Sequence, residues 1–75
     1  MPYASTADLP ESVQTVLPLH AQGIFKDAYN NAWEEYRLPA SRHGHETRQE
    51  ISYRIAWCAV NRIYQKGDGG KWHRI

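Results

Sequence analysis

Four histidines, one cysteine and eight carboxylates are the side chains of this 75-residue chain that could ligate a metal or act as nucleophile, acid or base. Their spacing argues against each of these roles. His43 and His45 flank a single glycine and supply two donors at most, while a zinc site needs three or four converging ligands, each held by further hydrogen bonds. His20 falls in the first turn of a helical stretch, where its ring can bond nearby backbone, and His73 lies near the other end of the chain. Asp68, in Gly67-Asp68-Gly69-Gly70, lacks the alternating carboxylates and the bidentate glutamate of a calcium loop. Glu34 and Glu35 are sequence neighbours, so on a helix they point about 100° apart and cannot work on one bond as acid and base. Cys58 has no His or Lys at helical spacing to draw out its thiolate, and it reads as a small buried apolar residue. The expectation is a protein without catalytic residues, metal or cofactor.

The basic side chains make a better candidate site. Arg48, Arg62 and Lys66 fall within about 40° of one another at helical spacing, and Lys71 and Arg74 follow, a set that could meet phosphates or an acidic protein loop. Charge is divided unevenly along the chain: residues 1–47 sum to −3 and residues 48–75 to +4. The two ends could meet across the fold or present a bipolar surface that orients a charged partner. The overall charge of +1 gives no global field for nucleic acid or an anionic membrane. Exposed aromatics interleaved with the basic residues would favour nucleic acid, but the rings here fit core stripes. A protein partner leads, and nucleic acid bound by the basic C-terminal segment is the alternative.

Positioning these residues falls to a short chain. Seventy-five residues make one domain, 1–75, which hides only about 60% of the surface that its unfolded form exposes. Nine aromatics and an apolar fraction of 41% are globular values. One cysteine excludes an internal disulfide. The start of the chain lacks the basic patch and apolar run of a secretory signal, and no stretch approaches the ~20 apolar residues that span a bilayer, so a cytoplasmic protein without membrane insertion is expected.

Each Leu-Pro step, Leu9-Pro10 and Leu17-Pro18, predicts the opening of a helix. The first helix must be short, about 10–16. The second, about 18–37, is amphipathic, with Phe25, Ala28, Tyr29, Ala32, Trp33 and Tyr36 in its apolar half. The irregular stretch 38–46 reads as a loop. Thr47-Arg48-Gln49-Glu50 then has the spacing of a capping box that starts a third helix, expected to run to Lys66 and stop at Gly67. Ile55, Ala56, Trp57, Ala59, Val60 and Tyr64 make this helix apolar around so much of its circumference that it reads as the central one, wedged between others, or as carrying a subunit interface. Asp68-Gly69-Gly70 turns the chain, and Trp72 would then pack on the helices, with the tail pairing beside Tyr3 in a small sheet of the two ends.

Asp8-Leu9-Pro10-Glu11-Ser12-Val13, Val16-Leu17-Pro18, His20-Ala21-Gln22, Phe25-Lys26, Ala32-Trp33, Ala56-Trp57, Ala59-Val60, Lys66-Gly67-Asp68 and Lys71-Trp72 together closely resemble the ChaB family of small bacterial proteins, to which regulation of cation transport is ascribed. The resemblance implies a mainly α, small α+β fold of one short and two long helices, with a minor two-stranded sheet joining the N- and C-terminal segments. It also implies association with ChaA, a sodium or calcium/proton antiporter, at its cytoplasmic face. No catalytic or binding residues come with it. The chain departs from the family pattern at 38–45 and at Gly69-Gly70, where acidic residues are more usual.

Overall fold

A computed structural model describes residues 2–38 and 46–75. Leu9, immediately before Pro10, takes the extended backbone that a following proline enforces (φ −65°, ψ 154°). Pro10 and Pro18 are the N-terminal caps of α1 (Glu11–Gln14) and α2 (Leu19–Glu35), so both Leu-Pro steps open helices as expected. A cap needs no helical N–H, which is why proline is tolerated there. Side-chain amides take up backbone carbonyls on both sides of α1. Gln14 Nε2 donates to the carbonyls of Ala7 and Leu9, and Gln22 Nε2 donates to those of Gln14 and Leu17.

The third helix, α3 (Arg48–Asn61), begins at the expected capping box: Glu50 N–H donates to Thr47 Oγ1 at 3.1 Å and Thr47 N–H to Glu50 Oε1 at 3.2 Å. It ends five residues before Lys66. Residues 64–66 instead form β1 (Tyr64–Lys66), which pairs antiparallel with β2 (Trp72–Arg74) in the register Tyr64 with Arg74, Gln65 with His73 and Lys66 with Trp72. The small sheet is therefore a hairpin within the C-terminal segment and does not join the two ends. Extending α3 would forgo the hairpin ladder, the bond from Ile75 N–H to the Ile63 carbonyl (2.9 Å), and the burial of Tyr64, whose hydroxyl shares a 2.8 Å hydrogen bond with His20 Nδ1. β-Branched and aromatic residues at 63 and 64 tolerate that exchange.

Gly69 (φ 81°) and Gly70 (φ 83°) turn the hairpin in left-handed backbone that other residues adopt only at a cost. Gly67 N–H closes the turn on the Lys71 carbonyl at 2.8 Å. β2 is anchored on its other edge by Trp72 N–H, which donates to the Val16 carbonyl at 2.9 Å. The N-terminal segment finds its place on α2 instead: Tyr3 is bonded to Asn30, and its ring lies 4.7 Å from that of Tyr29.

The core is built on a spacing of four. Leu9, Val13, Leu17, Ala21, Phe25 and Tyr29 are all buried, and Ala56, Val60 and Tyr64 close the core from the other side. Of the expected core, Phe25, Tyr29, Ala32, Ala56, Val60 and Tyr64 are buried, whereas Ala28, Trp33, Tyr36, Ile55, Trp57, Ala59 and Trp72 are half-buried around it. Leu9, Val13, Leu17, Ala21, Ile51 and Ser52 are core residues beyond that expectation. Ser52 is tolerated at zero exposure because its hydroxyl donates to the Arg48 carbonyl at 2.7 Å.

Two further expectations are corrected. The central element is α2, which packs on α1, on the 3₁₀ turn Thr6–Asp8 and on α3, whereas α3 packs on α2 and β1. Cys58 is exposed, not buried. It borders the polar strip of Glu50, Arg54 and Asn61, and with only α2 and the hairpin to cover α3, that side of the helix stays in water.

Candidate functional site

Tyr53, Trp57 and Asn61 stand four residues apart on α3 and so share one face of the helix. α2 covers that face only in part, through Phe25. The face looks across an open groove of about 600 Å³ at Ser12 and Val16 of α1, and at Lys66, Gly69, Gly70 and Trp72 of the hairpin. Hairpin register decides two of these contributions. Lys66 and Trp72 are directly opposite across the strands, so both side chains emerge on the same face of the sheet.

The apolar part of the groove is a continuous set of rings. Trp57 lies 5.3 Å from Trp72 and packs edge-on against Phe25, also at 5.3 Å; Tyr53 is 6.2 Å from Trp57 and 5.6 Å from Phe25. Phe25 is fully buried, so the groove wall is fastened directly to the core. Trp57 and Trp72 are half-buried and Tyr53 is 38% exposed. Among the described lining residues Lys66 alone carries a charge, and Asn61 and Ser12 supply neutral polar groups. The arrangement is suited to holding an apolar side chain beside an anion.

Of the five basic residues singled out from sequence, four lie on or beside the hairpin. Arg62 caps the end of α3, Lys66 is on β1, Lys71 follows the turn and Arg74 is on β2 opposite Tyr64; all four are exposed. Among the described residues none of the four makes an ion pair. The helical face expected to align Arg48, Arg62 and Lys66 does not form, because α3 stops at Asn61. Arg48 is half-buried and turned to the fold: its Nε donates to the Trp33 carbonyl at 2.7 Å and its guanidinium carbon sits 4.0 Å from the centre of the Trp33 ring. Sequence reasoning missed Tyr53, Asn61, Ser12 and Val16 as groove residues. The four-residue repeat 53, 57, 61 was the available signal, but a repeat of that kind does not say whether its face meets another element or water.

Two titrations are displaced outside the groove. Burial, and then the neighbouring Tyr3 phenol, push the Tyr29 phenol up to about 12, against a smaller opposing pull from Arg48. The two-pronged hydrogen bond from exposed Arg54 to Glu46, 3.0 Å at each prong, raises the guanidinium further above its already high range. No set of three potential metal-ligating side chains converges among the described residues; His43 and His45 lie outside them. Among the described residues no helix is long and apolar enough to cross a membrane.

Known proteins share this architecture and sequence. The ChaB family model matches residues 9–74. Relatives from Escherichia coli (strain K12) and Shigella flexneri, each named "Putative cation transport regulator ChaB", are 49% identical over 74 residues, covering 99% of this chain and 97% of theirs. A solution NMR structure of a protein bearing the same name superposes with a TM-score of 0.83 at 47% identity, covering 99% of both chains. The matched span contains both Leu-Pro steps, the capping box, the ring-lined groove and the glycine turn, and with identity at this level over nearly the whole length, the chain belongs to the ChaB family.

Proposed function

We propose that this chain is a non-enzymatic, cytoplasmic binding domain that regulates a cation transporter, and that its target is an acidic cytoplasmic segment of a sodium or calcium/proton antiporter of the ChaA kind. Regulation of cation transport comes from the name its relatives bear. The observation that carries the docking mode is the exposure of Lys66, Lys71 and Arg74 on the hairpin, with Arg62 just before it at the end of α3, beside an apolar groove. Exposed cations on a short rigid element steer an acidic partner and fix its orientation. Arg48 supports the fold through Trp33, so the proposal rests on the other four.

The test is capture of the purified, detergent-solubilised antiporter by the immobilised full chain at low and high salt. Capture at low salt that fades as salt rises, and that disappears in the triple variant Arg62→Glu, Lys71→Glu, Arg74→Glu, is expected. Capture indifferent to both would overturn electrostatic docking, and no capture at any salt would overturn the antiporter as target.

A further inference from the structure

The hairpin charges say where an acidic partner is drawn, but not what holds it once there. We propose that the groove between α3 and the hairpin seats one aliphatic side chain of an acidic protein segment against Trp57 and Trp72, with a carboxylate of the same segment on Lys66; this rests on the reading of the chain as a protein-binding domain.

Three features of the groove select this occupant. Its wall is aromatic and joined to the core through Phe25, so it is a preformed apolar surface of the kind that concentrates binding energy in a few contacts. Its charged liner is Lys66, a flexible point cation placed beside Trp72 by strand register, which puts an anion within reach of the same segment that delivers the apolar anchor. Asn61, between Trp57 and the hairpin, offers both a donor and an acceptor to passing backbone. A second copy of this chain fits poorly. A symmetric contact through the groove would set the basic hairpin of one copy against that of the other, and like charges brought together weaken an interface. An acidic segment turns the same charges into attraction.

The experiment titrates the full ¹⁵N-labelled chain with a short peptide of glutamate and serine carrying one central leucine. Amide shifts confined to the groove residues of α1, α3 and the hairpin are expected. Replacing the leucine by alanine, or making Lys66→Glu in the protein, should each weaken binding by about tenfold, and Tyr53→Ala, at a half-open position, by several-fold. The melting temperature of each variant is measured alongside, and Lys66→Met serves as a second, charge-neutral surface change. Equal binding of the leucine-free peptide, or equal binding by Lys66→Glu, overturns the proposal. So does displacement of the peptide by single-stranded oligothymidylate with the same shifts, which would make the groove a base-stacking surface, or concentration-dependent dimerisation that produces those shifts without peptide. Failure here is distinguishable from failure of antiporter docking. If Tyr53→Ala captures the antiporter with undiminished affinity while the hairpin charge reversal captures none, docking stands and the groove proposal falls; if the peptide binds the groove but no antiporter is captured, the reverse holds.

Discussion

The side-chain amide of Asn30 clasps the backbone of Tyr3 from both sides: Tyr3 N–H donates to Asn30 Oδ1 at 2.8 Å, and Asn30 Nδ2 donates to the Tyr3 carbonyl at 2.9 Å. The pair imitates one rung of a sheet without a strand, and it lets the Tyr3 ring settle on Tyr29. Asn30→Ala should cost about 1–3 kcal/mol, since each hydrogen bond contributes roughly 0.5–1.5 kcal/mol net. Asn30→Asp keeps the acceptor but sets a carboxylate oxygen against the Tyr3 carbonyl, so in urea unfolding it should cost at least as much as Asn30→Ala. Amide exchange in residues 2–8 should accelerate in both variants, and unchanged exchange would show that the clasp does not hold the segment.

The alkaline limit of stability should be governed in part by Tyr29. Its phenol is raised in the folded state to about 12, from an ordinary value near 10. The neutral form is therefore favoured by folding, and the stability linked to it is fully present below about pH 10 and lost as pH rises toward 12. Tyr29→Phe removes this titration, so its melting temperature should fall less steeply over that window than that of the unmodified protein. Parallel curves would sink the assignment.

Among the rings, burial rather than size should set the cost of truncation. Phe25 is fully buried and touched by Tyr29, Tyr53 and Trp57, whereas Trp57 is half-buried at the groove. Phe25→Ala should cost about 3–5 kcal/mol, most of the stability a domain of this size has, with Trp57→Ala costing less. Chemical denaturation of both variants decides the order.

Arg48 tests the junction between the ends of α2 and α3. A lysine there loses the planar fork that bonds the Trp33 carbonyl while lying over its ring. Arg48→Lys should therefore cost about 1–2 kcal/mol and change the emission of Trp33. A neutral substitution with unaltered emission would mean the contact contributes nothing in solution.

The turn glycines should be individually sensitive. Alanine at Gly69 or Gly70 would meet no neighbouring atom, but it would have to hold φ near 81° or 83°, at a cost of roughly 1–2 kcal/mol each. Gly67→Ala acts differently, because its new Cβ would come within 2.5 Å of the His73 ring and force that ring to move. Hydrogen exchange in the hairpin, compared with exchange in α2, distinguishes these local losses from global unfolding.

Local signals of this sequence were enough for where the helices begin. Proline at 10 and 18 excludes continuous helix through those points, Thr47 and Glu50 satisfy each other's backbone at the start of α3, and apolar residues four apart mark the buried face of α2. The same signals left the family resemblance in plain view. Tertiary structure decided the rest. The rule that made α3 run to Lys66 is local, and it lost to a competing set of long-range gains: Tyr64 buried and bonded to His20, the ladder of residues 64–66 with 72–74, and Trp72 N–H satisfied by Val16. Once the chain turned there, Lys66 left the helical face it would have shared with Arg48 and joined Trp72 beside the Tyr53 and Trp57 rings. Helical periodicity records which side chains shun water; it does not record which neighbours arrive to cover them, and that arrival placed Cys58 in solvent and opened the groove.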